Sequence, residues 1–337
     1  MILEIDQLRV DYRTSAGATH AVDGASFAVA EGRIVGLVGE SGCGKTTVAR
    51  AVMGVLPNGA RRVGGRIMHR GRLLDEPALA TLRWRDIAYV PQSAMSSLDP
   101  VYRVGAQLVE VLTRRGGLAP GPARDRAAVL FDLVGLNGRR LHDYPHQFSG
   151  GMRQRVAIAM ALALEPGLVL ADEPVTALDA IVQRQLLDTL RALQRALRLS
   201  IVLITHDISV VAYLCDDVVV MYAGQIVESG PVRAVLAQPR HPYTMGLRNA
   251  FPDLAAETLR LAPIGGGPPD LRDLPDGCRF VPRCPFAAPT CAGGTAALTR
   301  ASDQHVSACR RDAEADRLRV AALDPGTWQR SSSFATS

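Results

Sequence analysis

Short, wholly apolar runs alternate along the chain with longer stretches of helical periodicity. Residues 34–38 (IVGLV), 168–171 (LVLA) and 201–205 (IVLIT) carry almost no polar side chain, which predicts buried strands. VARAVMGVL follows residue 47, a helical stretch covers 93–147, and VAIAMALAL occupies 156–164. A further helix is predicted over 180–198, where Gln185 and the other polar residues make a solvated face. Strands interleaved with helices predict an α/β fold. The longest apolar run, 156–164, is too short for the roughly 18 residues that a membrane span needs. The start, MILEIDQLRV, lacks the basic region and apolar stretch of a secretory signal, so the chain is expected in the cytoplasm.

Composition refines this picture. A length of 337 residues suggests two domains, one large and one small, at about 150 residues each. With 47% hydrophobic and 21% charged residues, the chain is globular and not disordered. A net charge of +5 does not argue for nucleic acid. Among the 38 basic residues, however, only one is lysine, at position 45. A chain that uses arginine everywhere else needs a compact ammonium at that place, because a planar guanidinium does not fit a tight phosphate cradle.

Lys45 falls in GESGCGKTT (39–47), between the run at 34–38 and a helix. Gly39, Gly42 and Gly44 allow a tight turn that aims several N–H groups at one anion. Lys45 is placed to reach the β- and γ-phosphates of a nucleotide, with Thr46 on Mg²⁺, Thr47 beside it, and the helix start adding its positive end. Further on, LVLADE (168–173) ends an apolar strand in two carboxylates. Asp172 suits Mg²⁺, held through its water shell, and Glu173 suits a general base for an attacking water. Between these motifs FSGGMRQR (148–155) puts Ser149, Gly150 and Gly151 at the start of a helix, a second anion-binding device or simply a cap.

The order is phosphate loop, Gln92 after a strand, serine-glycine-glycine, carboxylate pair, Asp179, and His206 after IVLIT. That series resembles the nucleotide-binding domain of ABC-type ATPases over residues 1 to about 232, with a helical subdomain at about 93–152. The resemblance implies ATP and Mg²⁺ as ligands and assigns roles by position. Tyr12 matches the aromatic residue that stacks on adenine, although a strand-edge tyrosine is the alternative. Gln92 matches the glutamine that senses Mg²⁺ and couples to a transmembrane partner. Ser149, Gly150 and Gly151 match the LSGGQ signature, with Phe148 and Met152 departing from it. Asp179 matches a loop that signals across a dimer, and His206 a γ-phosphate contact. Because the phosphate loop and the signature lie on opposite lobes, two protomers must pack head to tail, with Lys45 of one and Ser149 of the other flanking each ATP.

After residue 232 the character changes. HPYT (241–244) and GCRFVPRCPF (277–286) resemble the C-terminal extension of dipeptide/oligopeptide importer ATPases, a group that includes nickel, sugar and opine members. GGGPPDLRDLPDG (265–277) reads as a linker. Cys278, Cys284, Cys291 and Cys309 follow at C-x5-C-x6-C-x17-C, gaps too wide for a zinc ribbon. Four thiolates suit an iron–sulfur cluster, and the resemblance implies 4Fe–4S; four reduced structural cysteines are the alternative. His305 is expected either to replace one ligand or to face solvent. A small, irregular Cys-containing domain is therefore expected over 233–322, with a disordered tail at 323–337.

The expected function is the ATP-hydrolysing subunit of a peptide-type ABC importer, peripheral on the cytoplasmic face of the membrane. Its implied partners are two transmembrane permease subunits, a second ATPase subunit (identical or a paralogue) and an extracytoplasmic substrate-binding protein, with no nucleic acid. A nickel or sugar/opine importer of the same group, or a soluble non-transport ABC ATPase, is the alternative.

Overall fold

The computed structural model describes residues 1–14, 17–92, 97–250, 263–294, 296–300 and 304–329. Its first half contains strands β1 (Leu3–Thr14), β2 (Gly17–Val29), β3 (Ile34–Val38), β4 (Ala60–His69), β5 (Arg72–Leu73) and β6 (Ile87–Val90). Helices α1 (Lys45–Met53) and α2 (Glu76–Leu82) lie among them. Helices α3 (Val104–Arg114) and α4 (Pro120–Leu133) fall inside the stretch 93–152, and α5 (Gly150–Ala161) starts at its end and runs beyond it. Then come β7 (Leu168–Asp172), α6 (Ala180–Leu197), β8 (Ser200–Thr205), α7 (Ile208–Leu214), β9 (Asp217–Tyr222) and β10 (Gln225–Pro231). The C-terminal part holds α8 (Val232–Ala237), α9 (Pro242–Asn249), β11 (Thr299–Arg300), β12 (Val306–Ser307) and α10 (Ala315–Ala321).

The apolar runs become the centre of an eight-stranded sheet of order β11-β12-β10-β9-β3-β8-β7-β6, and a second sheet has order β2-β1-β4-β5. Strands β6, β7, β8, β3 and β9 are parallel, and every residue of β3, β7 and β8 is buried. Such strands carry no polar face because both sides are covered. The pleat divides their side chains between two cores. Leu168, Leu170, Val202, Ile204, Val219 and Met221 pack with α1 and the smaller sheet. Val169, Ala171, Ile201, Leu203, Val218 and Val220 pack on the other side with α3 to α7. Because β3, β6, β7 and β8 run parallel, their C-terminal ends open at one edge, the place where ligands bind in sheets of this kind.

The C-terminal region grows out of the same sheet. Strand β12 pairs antiparallel with β10, and Tyr243, Phe280, Leu318 and Trp328 belong to the core that covers the central strands. Two expectations are corrected here. The tail is not irregular from residue 323: Pro325–Gln329 forms a 3₁₀ turn. Trp328 is buried there, with its ring edge-on to Phe286 and its indole N–H donating to the Ala322 carbonyl at 2.9 Å. Burying a large ring supplies the energy to order that turn; residues 330–337 lie outside the described residues. His305 neither faces solvent nor lines the cysteine pocket. It is buried, with Nε2 2.7 Å from Oε1 of the fully buried Glu228, whose carboxylate also accepts the backbone N–H groups of Arg240 and His241. Among the described residues, no helix is long and apolar enough to cross a membrane.

Candidate functional site

Strand β3 ends at Val38, and the loop 39–44 turns into α1 with Gly44 as its N-cap at φ 107°. A Cβ there would sit 2.3 Å from the Ala21 carbonyl, so only glycine fits the turn. The Lys45 ammonium, buried, donates to the carbonyls of Gly39 at 2.7 Å and Glu40 at 2.8 Å. It is thereby held over the loop. Gly42, Gly44, Lys45, Thr46, Thr47, Tyr12, Gln92 and Glu173 line one pocket of about 350 Å³. The Tyr12 hydroxyl lies 3.3 Å from Thr47 Oγ1 at the wall of that pocket.

The carboxylates meet the loop where β7 ends. Asp172 is fully buried, and its Oδ2 accepts the Tyr89 hydroxyl at 2.9 Å. Oδ1 is buried with no hydrogen-bond partner among the described residues. Burial pushes the Asp172 carboxyl upward, against the hydroxyls of Thr46 and Tyr89 and the charge of Lys45. Glu173 adopts φ 47°, an uncommon left-handed conformation for a side chain of its size. Its carboxylate accepts Gln92 Nε2 at 3.1 Å and Thr176 Oγ1 at 2.8 Å, and lies 3.0 Å from His206 Nδ1. Burial works to raise the Glu173 pKa, yet the His206 and Thr176 hydrogen bonds hold it below the usual glutamate range. The structure thus brings Gln92, Glu173 and His206 together at the loop.

Ser149, Gly150, Gly151 and Asp179 are not among the residues lining this pocket. Ser149 Oγ accepts the Met152 N–H at 3.3 Å at the start of α5. A Cβ on Gly151 would fall 2.3 Å from Val182 Cγ1, so this glycine lets α5 approach α6. Phe148 is buried under the Arg140 guanidinium, which also donates to Met152 Sδ at 3.6 Å. Asp179 Oδ1 accepts Val182 N–H at 2.9 Å and caps α6.

Cys278, Cys284, Cys291 and Cys309 line a single small pocket with Phe280 and Phe286. Burial pushes the thiols of Cys278 and Cys284 up and that of Cys309 up to about 12, and neighbouring thiols of the quartet add to each. Such thiols ionise only against a strong positive charge. Among the described residues, no three His, Cys, Asp or Glu side chains converge as a single metal ion requires.

Several partners escape sequence reasoning. Tyr89 and Thr176 orient the carboxylates from β6 and the turn after Glu173, yet neither sits in a motif that pattern alone singles out. Leu271, from the expected linker, lines the nucleotide-sized pocket.

Comparison with known proteins identifies the family. A family model described as "ABC transporter" matches residues 22–176, and one described as "Oligopeptide/dipeptide transporter, C-terminal region" matches 227–291. The oligopeptide transport ATP-binding protein OppD of Salmonella typhimurium is 46% identical over 86% of this chain and 88% of its own length. The dipeptide transport ATP-binding protein DppD of Bacillus subtilis is 42% identical over 91% and 94%. Among solved structures, the ATP-binding cassette MJ0796, a dimer in a post-hydrolysis state bound to ADP and Pi, superposes with a TM-score of 0.61. It is 25% identical over 68% of this chain and 99% of that one. The cbiO1 protein of Clostridium perfringens, part of the transporter complex cbiONQ, also gives 0.61, at 27% identity over 70% and 91%.

Proposed function

The chain belongs to the ABC transporter family and carries the C-terminal region of its oligopeptide/dipeptide members, and from that premise we propose how its residues do the work. It is the ATP-hydrolysing subunit of a peptide importer and acts with transmembrane permeases, a second ATPase subunit and a substrate-binding protein. Its station is peripheral, at the cytoplasmic face of the membrane.

The observation that carries the hydrolytic reading is the grip on Glu173 by His206, Gln92 and Thr176 beside the Lys45 loop. The loop N–H groups and Lys45 bind the β- and γ-phosphates, while Tyr12 presents its ring to the adenine. Thr46, the unpartnered Oδ1 of Asp172 and the side-chain carbonyl of Gln92 are the oxygen donors that would hold Mg²⁺ and its waters. Mg²⁺ there neutralises developing phosphate charge. Glu173, kept ionised by its hydrogen bonds, accepts the proton of the attacking water, and His206 faces the γ-phosphate. The second anion device completes the site from the partner subunit. Ser149, Gly150 and Gly151 offer a hydroxyl and a helix start that their own chain's pocket does not use, and Asp179 lies at the same dimer face.

The cysteine quartet would hold a 4Fe–4S cluster, whose role would be structural. A cubane takes each thiolate on a separate iron, so four thiols around a pocket fit it although they do not converge on one ion. Its contribution would be to cross-link four positions of a segment whose own strands are only two residues long.

Reconstitution with the permeases and the binding protein tests the transport reading. ATP-driven uptake of di- or oligopeptides, and ATPase stimulation by peptide-loaded binding protein, are expected. Stimulation by nickel or sugar alone would move the substrate to those members of the group.

A further inference from the structure

Glu40 sits one residue into the phosphate-binding loop, where a carboxylate beside a polyanion is electrostatically adverse. Its side chain is ion-paired in both oxygens by Arg283, with Nη1 to Oε2 at 2.6 Å and Nη2 to Oε1 at 2.8 Å. Only 8% of the Arg283 side chain is exposed. The same guanidinium donates through Nε to the Gly265 carbonyl at 2.9 Å. The Glu40 N–H donates to the hydroxyl of the buried Tyr243 at 2.9 Å, while the Glu40 carbonyl holds Lys45 Nζ. Arg283 and Tyr243, two of the groups that fix Glu40, therefore come from the C-terminal region, more than 200 residues away. Arg279 repeats the pattern on the other side: it donates to the Ala223 carbonyl and pairs with Asp23. The adjacent Gly224 N–H donates to the Cys43 carbonyl of the loop at 2.9 Å.

We propose that Arg283 is a positioning residue for ATP: it cancels the charge of Glu40 and, with Tyr243, fixes the phosphate loop in its binding geometry. The inference rests on the reading of residues 39–47 as the ATP site. A bidentate pair suits this task because it fixes direction as well as charge. Without Arg283 an unpaired carboxylate would stand one residue from the pocket-lining Ser41, and the residue whose carbonyl holds Lys45 would lose its side-chain anchor. The C-terminal region is then part of the nucleotide site, and Leu271, six residues beyond Gly265, completes its wall.

The test is equilibrium binding of MgATP to the full-length chain, read by competition with trinitrophenyl-ATP, alongside steady-state turnover. Arg283→Met is expected to weaken ATP about tenfold, equivalent to about 1.4 kcal/mol, while kcat at saturation stays within about threefold. Adding Glu40→Gln removes the uncompensated charge and is expected to restore affinity to within about threefold of the parent. A brace needed only for folding predicts no such rescue. Tyr243→Phe keeps the aromatic packing and removes one acceptor, with about threefold weaker binding expected; it decides the matter if Arg283→Met does not fold. Unchanged affinity in Arg283→Met, a defect that Glu40→Gln leaves in place, or unchanged affinity in Tyr243→Phe when Arg283→Met is unfolded overturns the proposal. Lys45→Ala is the separate control: if it still binds ATP, the reading of the loop itself fails.

Discussion

The nucleotide site and the cysteine-bearing region are held together by different means. The first stands on five parallel strands whose side chains feed two apolar cores, and Gln92, Glu173 and His206 follow the ends of three neighbouring strands. The second has two-residue strands and short 3₁₀ turns, with buried aromatic rings at Phe280 and Trp328. Arginine anchors do much of its attachment. Arg240 forks onto Asp312 at 2.7 Å through both Nε and Nη2, and Arg279 and Arg283 reach into the first region. A sheet positions groups by repetition of backbone bonds. A segment that joins the sheet only through two-residue strands fixes its geometry largely by directional ion pairs and large buried rings. Fixing the phosphate site therefore draws on both kinds of construction.

The sharpest way to separate the two regions is to remove the base alone. Glu173→Gln keeps the shape but cannot accept a proton. Turnover should fall 100-fold or more, about 2.7 kcal/mol of barrier, with ATP bound and the closed dimer stabilised. Steady-state rates near those of the parent would take Glu173 out of the role. The converse perturbation is Cys284→Ser. Anaerobically purified parent should be brown with about four irons per chain. The variant should lose that colour, cleave about tenfold faster around 265–310 under limited proteolysis, and bind MgATP more weakly by up to the tenfold expected of Arg283→Met, because the same segment carries the Arg283 brace. Stoichiometric zinc in the parent, or no metal at all, would sink the cluster. A rate change on reduction and reoxidation would sink its purely structural role.

A smaller effect asks whether one chain suffices. In a homodimer, mixing Lys45→Ala and Ser149→Arg protomers leaves one intact and one doubly damaged site in each mixed dimer. Half of randomly paired dimers are mixed, so activity should recover to about a quarter of the parent level from two inactive parents. No recovery would place the whole site within one chain; with a paralogous partner, the mixing is done with that chain.

Much of the first region was legible because its signals are local. A run such as IVGLV has to be a buried strand, and a glycine loop followed by lysine and a helix has to present N–H groups to an anion. Adjacent residues set both the Lys45 loop and the strand ending in Asp172 and Glu173. The tail departs from disorder at 325–329 because Trp328 packs edge-on to Phe286 and bonds the Ala322 carbonyl, while a single tryptophan among small and polar residues gives no periodicity in the sequence. His305 was misplaced for the same reason, since its partner Glu228 lies 77 residues away.

By itself, then, the sequence determined the buried central strands, the glycine loop before α1 and the strand end at Asp172 and Glu173, because each depends on neighbours within a few residues. Only the tertiary structure decided what those groups lean on: Tyr89 for Asp172, His206 and Gln92 for Glu173, Arg283 and Tyr243 for Glu40. Apolar periodicity says that a side chain is buried but not against what. A pairing such as Glu40 with Arg283 exists only once the sheet and its C-terminal extension have brought the two ends of the chain to one edge.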